Sequence, residues 1–214
     1  MCFSATASFV AGGALSAVGV SLLVKTKTKK ELPLASIPLL FGIQQLIEGV
    51  VWLSFGTPAL NTAATYAYAL FSHVLWPILV SFAVLAIETD PARKKILHMT
   101  FLAGASVGLY FLQSILTDSL TAHIVHDSIA YRSPHLYPFT TIVLYLVATC
   151  GSCLVSSHKI INLFGVVLGV SFAIAAWFFI ETFFSVWCFF AAILSVIIYW
   201  HFRSGAHSKR VATR

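Results

Sequence analysis

Glu48 is the residue whose chemistry most needs an explanation, because it lies inside the long apolar stretch 32–55. Gln45, Glu48 and Trp52 recur at helical spacing on one face, and Gln44 lies one turn before Glu48. A carboxylate in a membrane-spanning segment costs a few kcal/mol or more, and it normally faces a protein interior or a water-filled cavity. We therefore expect Glu48 to mark a buried functional site with other polar groups around it.

Four further residues have side chains that could join Glu48 in a metal site. His73 lies in the next apolar stretch, Glu181 interrupts the last one, and His123 and His126 lie in a polar connecting segment. Carboxylate and imidazole groups suit zinc or iron, and a metal-bound water can attack a carbonyl or phosphoryl group. The residue types thus predict a metal-dependent hydrolase that faces outward. Its predicted metal ligands are Glu48, His73, Glu181, His123 and His126, of which Glu48, His73 and Glu181 would also be catalytic.

A proton or solute site is the alternative prediction, and it needs no metal. Two carboxylates and a histidine inside a helix bundle are the usual parts of a proton relay or a cation site. Aromatic faces nearby could bind a cation. In either case the predicted substrate-binding residues are Gln44, Gln45, Trp52, Trp76 and Trp177. A third alternative has no small-molecule chemistry: each carboxyl would be hydrogen-bonded to a polar side chain of a neighbouring helix, and the loop histidines would be solvated.

The composition places these residues in a membrane protein. The chain has 214 residues, of which 59% are hydrophobic and 9% are charged, and its mean hydropathy is +0.92. Soluble domains carry about 25% charged residues. The net charge of +6 comes from basic residues at the ends of apolar segments, so we expect no nucleic-acid partner. The expected partners are the lipid bilayer and a small-molecule or lipid substrate.

The apolar segments predict an all-α, polytopic fold with seven transmembrane helices in a single domain, residues 1–203, followed by a basic tail, residues 204–214. The predicted helices cover about 5–24, 33–55, 62–88, 96–116, 136–156, 160–181 and 185–202. Lysine and arginine concentrate in alternate loops and in the tail, and Arg132 is the exception. The positive-inside rule then predicts an outside N-terminus and a cytoplasmic C-terminus in the cytoplasmic (inner) membrane.

The second and sixth predicted helices share a pattern that suggests an internal repeat. Each has a glutamate near its outer end followed by a tryptophan: Glu48 precedes Trp52, and Glu181 precedes Trp187. The pattern favours a three-plus-one-plus-three helix repeat in which the two glutamates are quasi-equivalent coupling sites. A retinal chromophore is not expected, because no predicted helix carries a lysine that could form the Schiff base.

Three motifs carry a family resemblance: Met-Cys-Phe-Ser-Ala-Thr-Ala-Ser at residues 1–8, Gln44-Gln45 with Glu48-Gly49 and Trp52, and Ser72-His73-Val74-Leu75-Trp76-Pro77. With these motifs the chain resembles a family of small uncharacterised microbial integral-membrane proteins beginning Met-Cys-Phe-Ser-Ala. That resemblance covers most of the chain and implies topology only. A fainter similarity is to the seven-helix zinc hydrolases related to alkaline ceramidase, which place two metal-binding histidines on the last helix. This chain has only His201 there, so the similarity supplies no ligand set.

Overall fold

The structure is a computed structural model that describes residues 4–133 and 139–202. The helices are α1 (Ala5–Lys25), α2 (Leu32–Leu53), α3 (Pro58–Ile87), α4 (Pro91–Thr117), α5 (Phe139–Val155), α6 (Lys159–Phe178) and α7 (Ile180–Phe202). Between α4 and α5, strands β1 (Thr121–Val125) and β2 (Ser128–Arg132) pair antiparallel. The polar segment that we expected to be a loop is thus a hairpin, and the fold is mostly helical rather than all-α. The predicted tail, residues 204–214, lies outside the described residues.

Six of these helices (α1, α2, α3, α4, α6 and α7) are long and apolar enough to cross a membrane, and the described part of α5 is shorter. Large apolar side chains stay exposed along the helices, as a lipid-facing surface requires; Val24 is 82% exposed and Met99 is 70% exposed. The chain therefore has the character of a multi-pass membrane protein.

The two ends of the bundle differ in their polar groups. One end, here called the basic end, carries the α1–α2, α3–α4 and α5–α6 connections; there Arg93 Nη1 donates hydrogen bonds to the carbonyl oxygens of Val155 (2.7 Å) and Ser156 (2.8 Å). The opposite end, here called the hairpin end, carries β1, β2 and the α6–α7 connection, with Arg132 at its rim. Each helix therefore has one half near the basic end and one half near the hairpin end.

The close pairing of α1 with α2 orients the helix that carries Glu48. Gly19 lies against the backbone of Leu39, and Gly42 lies against Ser16, so that a Cβ atom at either glycine would collide with the partner helix. Small residues allow such close approach of membrane helices. With α1 packed on it, α2 turns Glu48 into the bundle, where its side chain is fully buried.

Glu88 forms a clasp at the basic end. Its carboxylate accepts hydrogen bonds from the backbone N–H groups of Thr89 (2.8 Å), Asp90 (3.0 Å) and Ser157 (2.7 Å), and from the Ser157 hydroxyl (2.7 Å). Burial by itself raises the pKa of this carboxyl, but the hydrogen bonds outweigh burial and lower the pKa from 4.5 to about 2. The ionised carboxylate thus ties the α3–α4 connection to the α5–α6 connection.

Replacement of this carboxylate gives the first prediction. Because the folded-state pKa of Glu88 is depressed, its contribution to stability is present above pH 4.5 and is lost as the pH falls towards about 2. Glu88→Gln should lower the free energy of unfolding by about 2 kcal/mol at neutral pH, and the difference from wild type should shrink on acidification. Thermal unfolding in detergent across this pH range measures the effect. A difference that does not change with pH would contradict the clasp.

Candidate functional site

The Glu48 carboxyl is buried between α2 and α7. Ser185 of α7 donates its hydroxyl hydrogen to Glu48 Oε1 at 2.5 Å, and Gln45 Nε2 donates to Glu48 Oε2 at 3.2 Å. In the part of the chain that the structure describes, the one ion pair joins Arg132 to Glu181, so Glu48 has no cationic partner there. Tyr68 adds a further side-chain hydrogen bond, so neutral donors hold the carboxyl, an arrangement that tolerates both the charged and the protonated form.

A layer of polar and aromatic groups continues from Glu48 through the bundle. The hydroxyl of Tyr68 and the thiol of Cys188 lie beside the carboxyl, and Cys188 also lies beside the Gln44 amide. Gln44 Oε1 accepts a hydrogen bond from the Trp76 indole N–H at 2.6 Å, and the Trp76 ring stacks on Phe41 at 3.7 Å. The predicted substrate-binding residues Gln44, Gln45 and Trp76 thus do lie around Glu48.

His73 is fully buried but lies in an aromatic setting. Its ring stacks on Phe184 at 4.3 Å and meets the ring of Phe111 edge-on at 5.2 Å. Its Nδ1 lies 2.7 Å from Ser72 Oγ, and the ring also hydrogen-bonds the Ala69 backbone. These polar contacts are local, as expected for a histidine with a structural role.

A π-helical segment, Leu70–Leu75, carries His73 and sets its direction. In the i to i+5 pattern of a π-helix, the carbonyl of Ser72 would pair with the backbone N–H of residue 77, which is a proline and has none. The Tyr145 hydroxyl takes that place and donates to the Ser72 carbonyl oxygen at 2.6 Å. A second π-helical segment, Val147–Gly151, begins two residues after Tyr145 in α5, so this bond links the first irregular segment to the residues just before the second.

A narrow cavity continues from this layer towards the basic end. Its volume is about 20 Å³, which is room for a single water molecule. Cys188 and Trp76 line it beside the polar layer, and Val80 and Phe164 line it in the basic-end halves of α3 and α6. The surface that it exposes is apolar.

Glu181 does not join this site. Helix α6 ends at Phe178, and Glu181 lies in a 3-10 turn, Ile180–Thr182, at the start of α7. Its side chain is 57% exposed and contacts Arg132 at 3.5 Å. The correspondence with Glu48 that suggested a repeat does not extend to position, because Glu48 lies inside a helix and Glu181 lies in a connection.

The exposed Arg132–Glu181 pair gives a second prediction. Solvent screens such a pair, so Glu181→Gln should change the free energy of unfolding by at most about 1 kcal/mol. It should also leave proton binding at Glu48 unchanged, because its carboxyl lies at the rim. Melting temperature in detergent checks the first point, and infrared spectroscopy of the carboxyl groups checks the second. Loss of the Glu48 infrared signal in this variant would mean that Glu181 does belong to the Glu48 site.

The predicted metal set is not brought together. His123 is exposed and its Nε2 lies 3.0 Å from Thr121 Oγ1; His126 is exposed in the hairpin turn with φ of 46°. Glu48 and His73 are buried in the helix bundle. In residues 4–133 and 139–202, no three His, Cys, Asp or Glu side chains are grouped so that they could hold a metal ion.

The remaining predicted residues have separate surroundings, and the site includes residues that the sequence did not single out. Trp177 is 83% exposed, so its side chain lies on the outside of the helix bundle and not beside Glu48. Trp52 is half-buried, and its indole N–H is buried without a hydrogen-bond partner among the described residues.

The sequence analysis did not predict that Tyr68 and Tyr145 belong to the site. Ser185, a small polar residue in the last apolar stretch, is the closest hydrogen-bond partner of Glu48.

Comparison with known proteins gives a family and no activity. The protein-family model described as "Family of unknown function (DUF6629)" matches residues 1–213. Because the match covers almost the whole chain, the chain belongs to this family. This agrees with the resemblance to an uncharacterised family. No curated protein and no solved structure matches the chain.

Proposed function

We propose that this member of the DUF6629 family is a proton-coupled transporter of small solutes, in which Glu48 is the residue that binds and releases the proton. The observation that carries the proposal is the Glu48 carboxyl, which is fully buried without a cationic partner among the described residues. An ionised carboxylate is costly in such a place, and proton binding removes its charge. Among the described residues, the titratable groups beside it are Tyr68 and Cys188.

The position of Glu48 between two helices supports coupling. The carboxyl is part of α2, and its shortest hydrogen bond comes from Ser185 of α7. When Glu48 is ionised it accepts from both Ser185 and Gln45; when it carries a proton it can still accept, but it is also a donor whose O–H needs an acceptor between the two helices. A change of protonation therefore changes how α2 is held against α7, which is what a coupled transporter requires.

The topology that suits this function has seven spans, with α5 as the seventh, in the cytoplasmic membrane. Basic residues cluster at the basic end and in its connections: Lys25, Lys27, Lys29, Lys30, Arg93, Lys94, Lys95 and Lys159. The positive-inside rule assigns that end to the cytoplasm. The hairpin end, with Glu48 in the nearer half of the bundle, then faces outward, and the N-terminus lies outside.

No observation favours the metal-dependent hydrolase over this proposal. The hydrolase would need Glu48 and His73 to meet Glu181 or the hairpin histidines at a common metal. Glu181, His123 and His126 are exposed at the hairpin end instead, each with local neighbours. A zinc or iron site built from these five residues would therefore require a different arrangement of the hairpin.

Uptake by reconstituted protein tests the function. Proteoliposomes are given an imposed pH gradient and a mixture of isotope-labelled metabolites from a microbial extract, and their contents are analysed by mass spectrometry. We expect wild type to accumulate at least one small solute only when the gradient is present. Glu48→Gln should abolish that accumulation, and the rim variant Glu181→Gln should retain it. Equal contents in wild-type and Glu48→Gln vesicles would overturn the transport function.

A further inference from the structure

Buried polar atoms without a hydrogen-bond partner are distributed unevenly between the two ends of the bundle. Among the described residues most of them occur in the hairpin-end half, including Ser8 Oγ, Gln45 Oε1, Trp52 Nε1, Thr65 Oγ1 and Ser128 Oγ. These named atoms are called the unpartnered set below. Most buried polar groups in a protein are satisfied, so several such atoms in one region indicate a bound partner.

The basic-end half shows the opposite pattern. Its buried hydroxyls donate to backbone carbonyls: Ser81 to Pro77, Ser152 to Ala148 and Ser195 to Ala192. Between that half and Glu48 lies the narrow apolar cavity. Among the described residues, Ser16 Oγ, near the middle of α1, is the unpartnered buried side-chain atom that lies nearest to the basic-end half.

Apart from Gln45, which lies one turn before Glu48 in α2, the unpartnered set lies on the hairpin side of Glu48. Trp52 is one turn beyond Glu48 on the same face of α2, and Thr65 is one turn beyond Tyr68 in α3. Ser8 belongs to the face of α1 that packs on α2, and Ser128 begins strand β2. Strand β1 contacts α3, and strand β2 contacts α7.

The chemistry of the set points to water as its partner. The Trp52 indole is a donor only, the Gln45 oxygen is an acceptor only, and the three hydroxyls can do both. Spread over three helices and a strand, they need a small partner that donates and accepts at several separate points. Water meets this need, and buried waters commonly make about three hydrogen bonds to such groups.

We infer that buried water bound to the unpartnered set connects Glu48 to solvent at the hairpin end, and that this is the route by which its proton enters and leaves. When Glu48 gives up its proton, the adjacent water accepts it and passes one of its own protons on. Glu48 is then ionised and the hairpin-end solvent has gained one proton; one O–H bond breaks and one forms at each step, and no bond between heavy atoms changes. The inference rests on the proposed function, because it assumes that Glu48 exchanges a proton.

Exchange of the Glu48 proton for deuterium tests the route. The carbonyl infrared band of a protonated carboxyl shifts when its hydrogen is replaced by deuterium, and the Glu48→Gln variant identifies which band belongs to Glu48. Wild-type protein in lipid is transferred to heavy water at a pH where this band is present, and the rate of the shift is followed. Thr65→Val and Trp52→Phe each remove one water partner, so each should slow the exchange by about tenfold.

Two matched variants control for the substitution itself. Thr100 is also a buried helical threonine, but its hydroxyl donates to the Leu97 carbonyl oxygen at 3.0 Å, and Trp200 is 65% exposed near the basic end. Thr100→Val and Trp200→Phe should exchange at the wild-type rate. If Thr65→Val and Trp52→Phe also exchange at that rate, or if Thr100→Val slows exchange equally, the route is wrong while the proton site stands. If no Glu48 band exists in wild type at any pH, the proposed function itself fails.

Discussion

Tyr145→Phe is expected to destabilise the protein by about 1–3 kcal/mol, although it removes a single oxygen atom. The Tyr145 hydroxyl donates to the Ser72 carbonyl oxygen at 2.6 Å, and both groups are buried. Pro77 has no N–H to offer that carbonyl, so the phenylalanine variant leaves it without a partner in the apolar interior. Thermal unfolding in detergent should show the loss as a lower melting temperature.

Tyr199→Phe is the control for this prediction. Tyr199 also belongs to a helix and is partly buried, but its ring lies under the Lys25 ammonium at 5.7 Å, a contact that phenylalanine keeps. We expect its melting temperature to stay close to that of wild type. An equal shift in both variants would mean that the Ser72 carbonyl does not depend on Tyr145.

Gly104→Ala should destabilise the protein by a similar amount, about 1–3 kcal/mol, by adding one methyl group. Gly104 of α4 lies directly against the carbonyl oxygen of Pro77 and near Ser81 Oγ, so a Cβ atom there would collide with the α3 backbone. Helix α4 would have to move away from the part of α3 that follows the π-helical segment. Melting temperature in detergent measures the cost, and the infrared band of Glu48 shows whether the change reaches the site.

Gly13→Ala separates this collision from the general effect of replacing glycine in a helix. Gly13 of α1 has open space where its Cβ atom would lie. Alanine is the better helix former by roughly 0.5–1 kcal/mol, so this variant should be as stable as wild type or slightly more stable. If Gly104→Ala behaved like Gly13→Ala, the close approach of α3 and α4 would be contradicted.

The membrane character and the burial of Glu48 could be predicted from the sequence because both follow from local pattern. A run of apolar residues of sufficient length specifies a membrane helix, and a carboxylate inside such a run needs a protein interior. Helical spacing also predicted that Gln44 and Gln45 lie beside Glu48, since residues three or four apart in a helix share a face. The hairpin was missed because β1 and β2 are each five residues long and contain polar residues that also suit a loop.

The composition of the site depends on contacts between helices, which spacing along one helix does not specify. Glu181 was expected beside Glu48 because both have acidic side chains near the same end of the bundle. A shift of the helix boundary to Phe178 leaves Glu181 in an exposed turn, and Ser185, one turn later, reaches Glu48 instead. Tyr145 was missed because its role depends on an irregular segment in another helix. Pro77 indicates an irregularity in that helix, but it does not indicate which side chain bonds the free carbonyl.

Infrared titration of the carboxyl groups in lipid-reconstituted protein tests the central claim most directly. We expect a band from a protonated carboxyl that appears on acidification and disappears on alkalinisation. The band should be absent in Glu48→Gln and should persist in Glu181→Gln. A Glu48 carboxyl that stays charged, or stays protonated, at every pH at which the protein remains folded would contradict a proton-exchanging site. It would leave Glu48 as a structural link between α2 and α7.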